Sequence, residues 1–119
     1  MTRILAVDDN PTNLRLVLDV LRSRGFAPLS AASGQEALAV LAENEVDVLL
    51  IDVQMPGMSG TDLARQLRGE PQFAALKLVA VTAMAMRGDR EGIMEAGFDD
   101  YLAKPYRLSD LFAVVERNS

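Results

Sequence analysis

Residues 46–57 read VDVLLIDVQMPG, and this stretch decides the fold class. Its first part, Val46 to Ile51, is a short and mostly apolar run that predicts a β-strand. Apolar side chains follow one another there instead of alternating with polar ones, which favours a strand covered on both faces. The strand is predicted to end at Asp52. Strands of this kind are typical of parallel sheets that are flanked by helices.

Further short apolar runs lie on both sides of this stretch, and they alternate regularly with helical patterns. Most of them also lack a period of two, so the same kind of buried parallel strand is predicted for each. The run at residues 28–32 is the weakest. The other four strands are predicted at Ile4 to Val7, Pro28 to Ala32, Leu78 to Val81 and Tyr101 to Ala103.

The segments between these strands carry helix-start signals. Asn10 followed by Pro11 supplies a capping side chain and a proline at the first helical position, where its missing N–H costs nothing. Ser33 and Glu36 form a capping-box pattern for the second helix. The third helix is predicted from Ser59.

Apolar residues at helical spacing mark the faces that these helices turn toward the core. The first helix has an inward stripe at Leu14, Val17, Leu18 and Leu21, and the second at Ala37, Leu38 and Leu41. The last helix carries an apolar stripe at Leu108, Leu111, Phe112 and Val115. The third helix is predicted to end at Leu67, and the fourth to run from Arg87 to Ala96. Leu16 is expected to point away from the core, with Val20 toward the same side.

Five strand–helix units in succession predict one α/β domain over residues 1–119, without linkers, repeats or low-complexity segments. Right-handed crossovers then favour a doubly wound parallel sheet. In such a sheet a ligand site forms at the carboxyl ends of the strands.

Composition excludes several classes of function. The net charge of −5 and the predicted pI near 4.6 disfavour direct binding to nucleic acid or to an anionic membrane. The chain has no cysteine and no histidine, so disulfides, Ser-His-Asp triads and thiolate or imidazole metal sites are excluded. A bound metal would need oxygen ligands, which points to hard cations such as magnesium. No apolar stretch approaches the roughly 20 residues of a membrane span, and a cytoplasmic location is expected.

Polar residues that can bind an ion or take part in a reaction lie at the predicted strand ends. Asp8 and Asp9 follow the first strand and Asp52 ends the third, while Thr82 ends the fourth and Lys104 the fifth. A single aspartate after a strand is ordinarily a helix cap or a turn residue. The coincidence of all four ends favours one shared pocket, because parallel strand ends meet at one edge of the sheet.

Charge counting indicates what such a pocket would bind. The three carboxylates contribute −3 and Lys104 contributes +1, which leaves about −2 when all are ionised at neutral pH. A divalent cation brings the sum near zero. Phosphorylation of Asp52 replaces one carboxylate charge with about −2, which the cation and Lys104 can again offset.

These motifs resemble the receiver domain of two-component response regulators. The matching residues are Asp8-Asp9, Asp52 with Met55-Pro56-Gly57 after it, Thr82-Ala83 and Lys104-Pro105. The resemblance covers the whole chain, and its second half is similar to receivers of hybrid histidine kinases and to stand-alone regulators of the DivK type. It implies a CheY-like, flavodoxin-like sheet of strand order 2-1-3-4-5.

The resemblance also implies a role for each site residue. Asp52 would be the phospho-acceptor, and Mg²⁺ (Mn²⁺ is possible) would be held by Asp9, Asp52 and the backbone carbonyl of Gln54, with Asp8 acting through a metal-bound water. Lys104 and Thr82 would bind the phosphoryl oxygens. The peptide bond between Lys104 and Pro105 is expected to be cis.

Two further pairs follow from the same resemblance. Gln54 and Met84 match positions that tune hydrolysis of the acyl phosphate, although Met84 could equally be an ordinary loop residue. Thr82 and Tyr101 match a switch pair, although Tyr101 could be a simple half-buried aromatic residue. The fourth helix, which contains Gly92, would be the mobile element beside them.

The resemblance implies a sensor histidine kinase or a histidine phosphotransfer protein as donor and a downstream protein that binds the last two helices. The donor would dock near Leu16, although a single exposed apolar residue is also ordinary on a protein surface. The chain would be a monomer or a weak dimer, and it would not be an enzyme beyond its own phosphorylation and dephosphorylation. The serious alternative is a receiver-fold interaction module that works without phosphorylation. A hydrolase of the haloacid dehalogenase type is disfavoured because Asp52 lacks the Asp-x-Asp pattern, and no glycine-rich nucleotide loop is present.

Overall fold

The computed structural model describes residues 2–83 and 87–119, with the side chains of residues 87–89 excepted. Its centre is one parallel sheet of five strands in the order β2-β1-β3-β4-β5, as predicted. The strands are β1 (Ile4–Val7), β2 (Leu29–Ala31), β3 (Val48–Asp52), β4 (Lys77–Thr82) and β5 (Asp100–Ala103).

In the described parts of the chain, four α-helices connect successive strands and a fifth follows β5, while one short 3-10 helix at Pro71–Phe73 was not predicted. The helices are α1 (Pro11–Ser23), α2 (Gly34–Glu43), α3 (Gly60–Arg68), α4 (Arg87–Glu95) and α5 (Leu108–Arg117). Among the described residues none of these helices is long and apolar enough to cross a membrane.

The helices divide into two layers, because successive residues of each strand face opposite sides of the sheet. In β3, Leu49 and Ile51 pack in a core cluster with residues of α2, α3 and α4. Val48 and Leu50 belong to a second cluster, with residues of α1 and α5. The sheet is therefore covered on both faces, which explains why its strands read as continuous apolar runs.

The predicted start of β3 was two residues too early. Val46 is only half-buried, and Asp47 directs its carboxylate to Arg3 instead of joining the core. The apolar character of Val46 therefore reflects contact with the edge of a core cluster and not strand pairing.

The capping box predicted for α2 forms only in part. Ser33 accepts a hydrogen bond from the Glu36 backbone N–H at 3.1 Å, but the Glu36 carboxylate reaches the N–H of Ala32 instead of Ser33. A complete box occurs at α3, where Ser59 and Asp62 each cap the backbone of the other.

The placement of Val20 was wrong. This side chain is half-buried and packs against the cluster between the sheet and the α1–α5 layer. Helix α5 lies beside α1, and Val20 lines the cavity between them together with Leu111. Leu16 is 59% exposed, as its position on the outer side of α1 predicts.

Candidate functional site

Strand register brings the predicted site residues to one edge of the sheet. Asp52 ends β3 and is the ladder partner of Val81, the residue before Thr82. Thr82 in turn pairs with Ala103, the residue before Lys104. The backbone N–H of Lys104 donates to the Thr82 carbonyl at 2.8 Å, so the pairing extends one residue beyond the strands.

Three carboxylates meet at this edge. Asp8, Asp9 and Asp52 each offer one oxygen, and these oxygens all lie within 4.8 Å of one another. Asp8 and Asp52 are 8% and 7% exposed, while Asp9 is open to solvent. The predicted convergence of the acidic residues is therefore confirmed as geometry.

Asp52 stands at the centre of the cluster. Its Oδ1 accepts a hydrogen bond from the Gln54 backbone N–H at 3.1 Å and lies 3.9 Å from Lys104 Nζ. Burial raises the pKa of Asp52, and the neighbouring Asp8 raises it further, whereas the Gln54 N–H and Lys104 oppose the shift. Burial is the largest of these effects, and together with Asp8 it outweighs the Gln54 hydrogen bond and the charge of Lys104, so the pKa of Asp52 is raised.

Close backbone packing fixes the loop that follows Asp52. A Cβ on Gly60 would lie 2.7 Å from the Asp52 carbonyl oxygen and from Val53 Cα, so α3 can start against this loop only because residue 60 is glycine. The Gly60 N–H donates to the Val53 carbonyl at 3.1 Å. Gly57 turns the chain with a φ of 75°, which a side chain disfavours.

The remaining predicted residues lie around this centre. Thr82 is fully buried, and the Lys104–Pro105 peptide bond is cis, as predicted. Tyr101 is half-buried and packs against the cluster beneath α4. Met84 lies outside the described residues.

Two contributors were missed by the sequence reasoning. The Asn10 backbone N–H donates to Asp8 Oδ1 at 2.9 Å and so orients that carboxylate, besides the capping role predicted for the Asn10 side chain. Tyr106 is half-buried near Asp8, and burial, followed by the charge of Asp8, raises the pKa of its hydroxyl. Its position directly after Lys104-Pro105 was the only available signal.

An apolar cavity of about 480 Å³ opens from the acidic edge into the groove between α1 and α5. Asp8, Asp52 and Lys104 line one part of it. The other part is lined by the apolar and aromatic side chains of Leu16, Val20, Tyr106, Leu108 and Leu111.

The donor set of the acidic edge fits a hard divalent cation. All three side chains offer carboxylate oxygens, which Mg²⁺ prefers, and the chain has no histidine or cysteine that would favour a softer metal. The lone lysine leaves an excess of negative charge that a dication would offset.

Comparison with known proteins identifies the family. The protein-family model for the response regulator receiver domain matches residues 4–116. The chain belongs to this family. Receiver domains of this family serve two-component signal transduction, and the sheet order and the acidic edge described above agree with that assignment.

Similar receiver domains occur both inside large kinases and as separate proteins. The chain is 40% identical over 116 residues to the sensor histidine kinase GacS of Pseudomonas protegens, covering 95% of this chain but only 13% of the length of that kinase. It is 34% identical over 102 residues to the polar-differentiation response regulator DivK of Brucella ovis, covering 86% of this chain and 83% of DivK.

Solved receiver structures share the whole fold. Chemotaxis protein CheY4 of Vibrio cholerae superimposes with a TM-score of 0.94 at 28% identity, covering 100% of this chain and 99% of that one. The receiver domain of a sensor histidine kinase from Pseudomonas aeruginosa superimposes with a TM-score of 0.89 at 33% identity, covering 98% and 96%. That structure has a magnesium ion coordinated in its active-site cleft.

Proposed function

We propose that this receiver domain is a phospho-acceptor switch that takes a phosphoryl group onto Asp52 from a phosphohistidine of a partner protein. The observation that carries the proposal is the placement of a buried Asp52 between Lys104, 3.9 Å away, and the carboxylates of Asp8 and Asp9. A purely structural aspartate would not be expected to share one lysine with two further carboxylates. The surplus of acid here favours chemistry instead.

In the proposed reaction a carboxylate oxygen of Asp52 attacks the phosphorus in line with the leaving imidazole nitrogen. The phosphorus–nitrogen bond breaks as the oxygen–phosphorus bond forms, and the leaving imidazole keeps the electron pair. Lys104 would balance charge on the equatorial oxygens, and the Thr82 hydroxyl would donate to one of them. Positioning and charge stabilisation of this kind supply most of the catalysis in phosphoryl transfer.

The proposed cofactor is Mg²⁺, with Mn²⁺ as a possible substitute. Asp9, Asp52 and the Gln54 carbonyl would hold it, and Asp8 would contribute through a water. When bound, the ion neutralises negative charge on the carboxylates and the incoming phosphoryl group. The Gln54 backbone would thus have two roles, because its N–H also donates a hydrogen bond to Asp52 Oδ1 at 3.1 Å.

The donor would be a sensor histidine kinase or a histidine phosphotransfer protein, and it would dock over the cavity between α1 and α5. That cavity joins the acidic edge to apolar side chains, including Leu16 and Leu108, which are 59% and 54% exposed. An apolar helical surface presenting a phosphohistidine matches both parts of the cavity.

Replacement of Leu16 by aspartate tests this docking surface. Phosphotransfer from a cognate kinase should fall, because a charge would enter the apolar contact, while phosphorylation by acetyl phosphate should persist. Equal losses with both donors would reject the docking role.

The proposed output uses Thr82 and Tyr101 as a switch pair, with α4, β5 and α5 forming the face that a downstream protein binds. Gln54 and Met84 would tune the lifetime of the acyl phosphate. Outside its own phosphorylation and dephosphorylation the domain would not act as an enzyme. We further propose that it works in the cytoplasm as a monomer or weak dimer, without direct contact to nucleic acid or membrane.

Incubation with acetyl phosphate and Mg²⁺, followed by intact-mass analysis, tests the central proposal. The wild type should gain the mass of one phosphoryl group, and Asp52→Asn should not. Asp47→Asn is the matched control, because it removes a carboxylate from the opposite edge of the sheet and should be phosphorylated normally. A wild type without added mass would favour the alternative, a receiver-fold interaction module that works without phosphorylation.

A further inference from the structure

A contact between α4 and the edge strand β5 involves the proposed switch tyrosine. The guanidinium carbon of Arg90 lies 4.9 Å from the centre of the Tyr101 ring. Arg90 is exposed, and Tyr101 is half-buried against the core cluster that includes Ile93 of the same helix. A guanidinium at this distance is attracted to the ring face. The contact therefore ties the ring to the surface of α4.

Among the described side chains, no salt bridge competes with the Tyr101 ring for the Arg90 guanidinium. The positions one helical turn away in sequence, 86, 87, 93 and 94, are methionine, arginine, isoleucine and methionine. With the side chains of residues 2–83 and 91–119, Arg90 forms no salt bridge. Asp100, the neighbour of Tyr101, is already bonded to Arg117 and Asn118 of the α5 end.

The position of the Tyr101 ring matters because β5 lies beside β4, where Thr82 is fully buried. Tyr101 is paired with Ala80, two residues before Thr82. A ring held toward α4 by an external cation is in a different environment from a ring turned toward Thr82. Any interaction made in only one of these positions must shift the balance between them.

We propose that Arg90 is a positioning residue that holds the Tyr101 ring against α4 and thereby sets how readily the domain switches. This inference rests on the proposed switching of Thr82 and Tyr101, and it adds the residue that sets the resting balance. An exposed cation–π contact of this kind corresponds to roughly a two- to five-fold change in the ratio of the two ring positions. Removing the guanidinium should therefore favour the ring position of the phosphorylated state.

Fluorotyrosine labelling gives a direct reading of this balance. The chain has two tyrosines and no tryptophan, so two fluorine resonances are expected, and Tyr106→Phe assigns them. Beryllofluoride with Mg²⁺ serves as the phosphoryl mimic. In the unliganded protein, Arg90→Gln should move the Tyr101 resonance toward its beryllofluoride position, whereas Arg90→Lys, which keeps a cation, should move it less.

Affinity for beryllofluoride should rise in parallel. By linkage, a resting balance shifted roughly two- to five-fold toward the switched state raises the affinity for the mimic by up to the same factor. Arg65→Gln is the matched control: it removes an equal charge from an exposed position on α3 and should change neither the resonance nor the affinity.

The outcomes separate this inference from the function on which it rests. If the wild-type Tyr101 resonance responds to beryllofluoride and Arg90→Gln leaves it and the affinity unchanged, the role of Arg90 is rejected and the switch stands. If the wild-type resonance does not respond although the mimic binds, the switch is rejected together with the role of Arg90. A shift in Arg65→Gln equal to that in Arg90→Gln would also reject it, because net charge alone would then explain the effect.

Discussion

Acidic residues are paired differently at the two ends of the parallel strands, here called the amino edge, where the strands begin, and the carboxyl edge, where they end. At the amino edge two carboxylates are paired with arginines: Asp47 accepts bonds from the Arg3 backbone and guanidinium, and Asp99 is bonded to Arg68. At the carboxyl edge Asp8, Asp9 and Asp52 share one lysine.

The pKa values of the two edges move in opposite directions. Hydrogen bonds from the Arg3 side chain and backbone lower the pKa of Asp47. Burial, and after it Asp8, raises the pKa of Asp52. Arginine-paired acids thus stabilise the fold, whereas three carboxylates that share one lysine cost stability and can bind a cation. The balance of charges, and not the number of carboxylates, therefore distinguishes the carboxyl edge from the amino edge.

The largest effect is expected from breaking the amino edge at Arg68. Its guanidinium donates to the carbonyls of Gly97 and Leu76 and to Asp99, so it joins α3 to the starts of β4 and β5. Arg68→Ala should lower the free energy of unfolding by about 2–3 kcal/mol, because partly buried acceptors lose their donor. Urea unfolding followed by circular dichroism measures the loss. An unchanged urea midpoint would show that the hydrogen bonds of Arg68 do not stabilise the fold.

A smaller effect of opposite sign is expected at the carboxyl edge. Without metal, Asp52→Asn should raise the free energy of unfolding by on the order of 1 kcal/mol, because it removes repulsion from Asp8 and Asp9. Asp47→Asn, the same substitution at the amino edge, should lower stability. Two substitutions that change stability in the same direction would contradict the comparison.

The smallest effect is a difference in pH dependence. The raised pKa of Asp52 gives stability that is present below its unfolded value, near 3.8, and is lost as pH rises through the folded value. The lowered pKa of Asp47 gives stability that is present above that unfolded value and is lost as pH falls through the folded value. Carboxyl NMR titration of the metal-free protein should place the Asp52 transition above that of Asp47. The reverse order would reject the electrostatic account.

The fold and the acidic edge could be predicted because both depend on local patterns. Continuous apolar runs identified the parallel strands, and a parallel sheet must bring Asp8, Asp52 and Lys104 to the same edge. The strand order came from the family resemblance. These features tolerate errors of one or two residues, such as the late start of β3 at Val48.

What escaped prediction depends on contacts between distant parts of the chain. Arg68 forms hydrogen bonds with Gly97 and Asp99, which lie 29 and 31 residues away in the sequence, and no sequence pattern indicates these contacts. Val20 is half-buried because α5 lies beside α1, which the periodicity of α1 alone cannot reveal. The contact of Arg90 with Tyr101 is of the same kind, since it needs the packing of α4 on β5.

Thermal unfolding with and without Mg²⁺ tests whether the acidic cluster at the carboxyl edge binds a divalent cation. Saturating Mg²⁺ should raise the melting temperature of the wild type, because a ligand that binds only the folded state stabilises it by about 2.7 kcal/mol at a hundred times its dissociation constant. Asp47→Asn should show the same rise, and Asp52→Asn a much smaller one. If Mg²⁺ leaves the melting temperature of the wild type unchanged, or raises that of Asp52→Asn equally, the carboxyl edge does not form the proposed metal site.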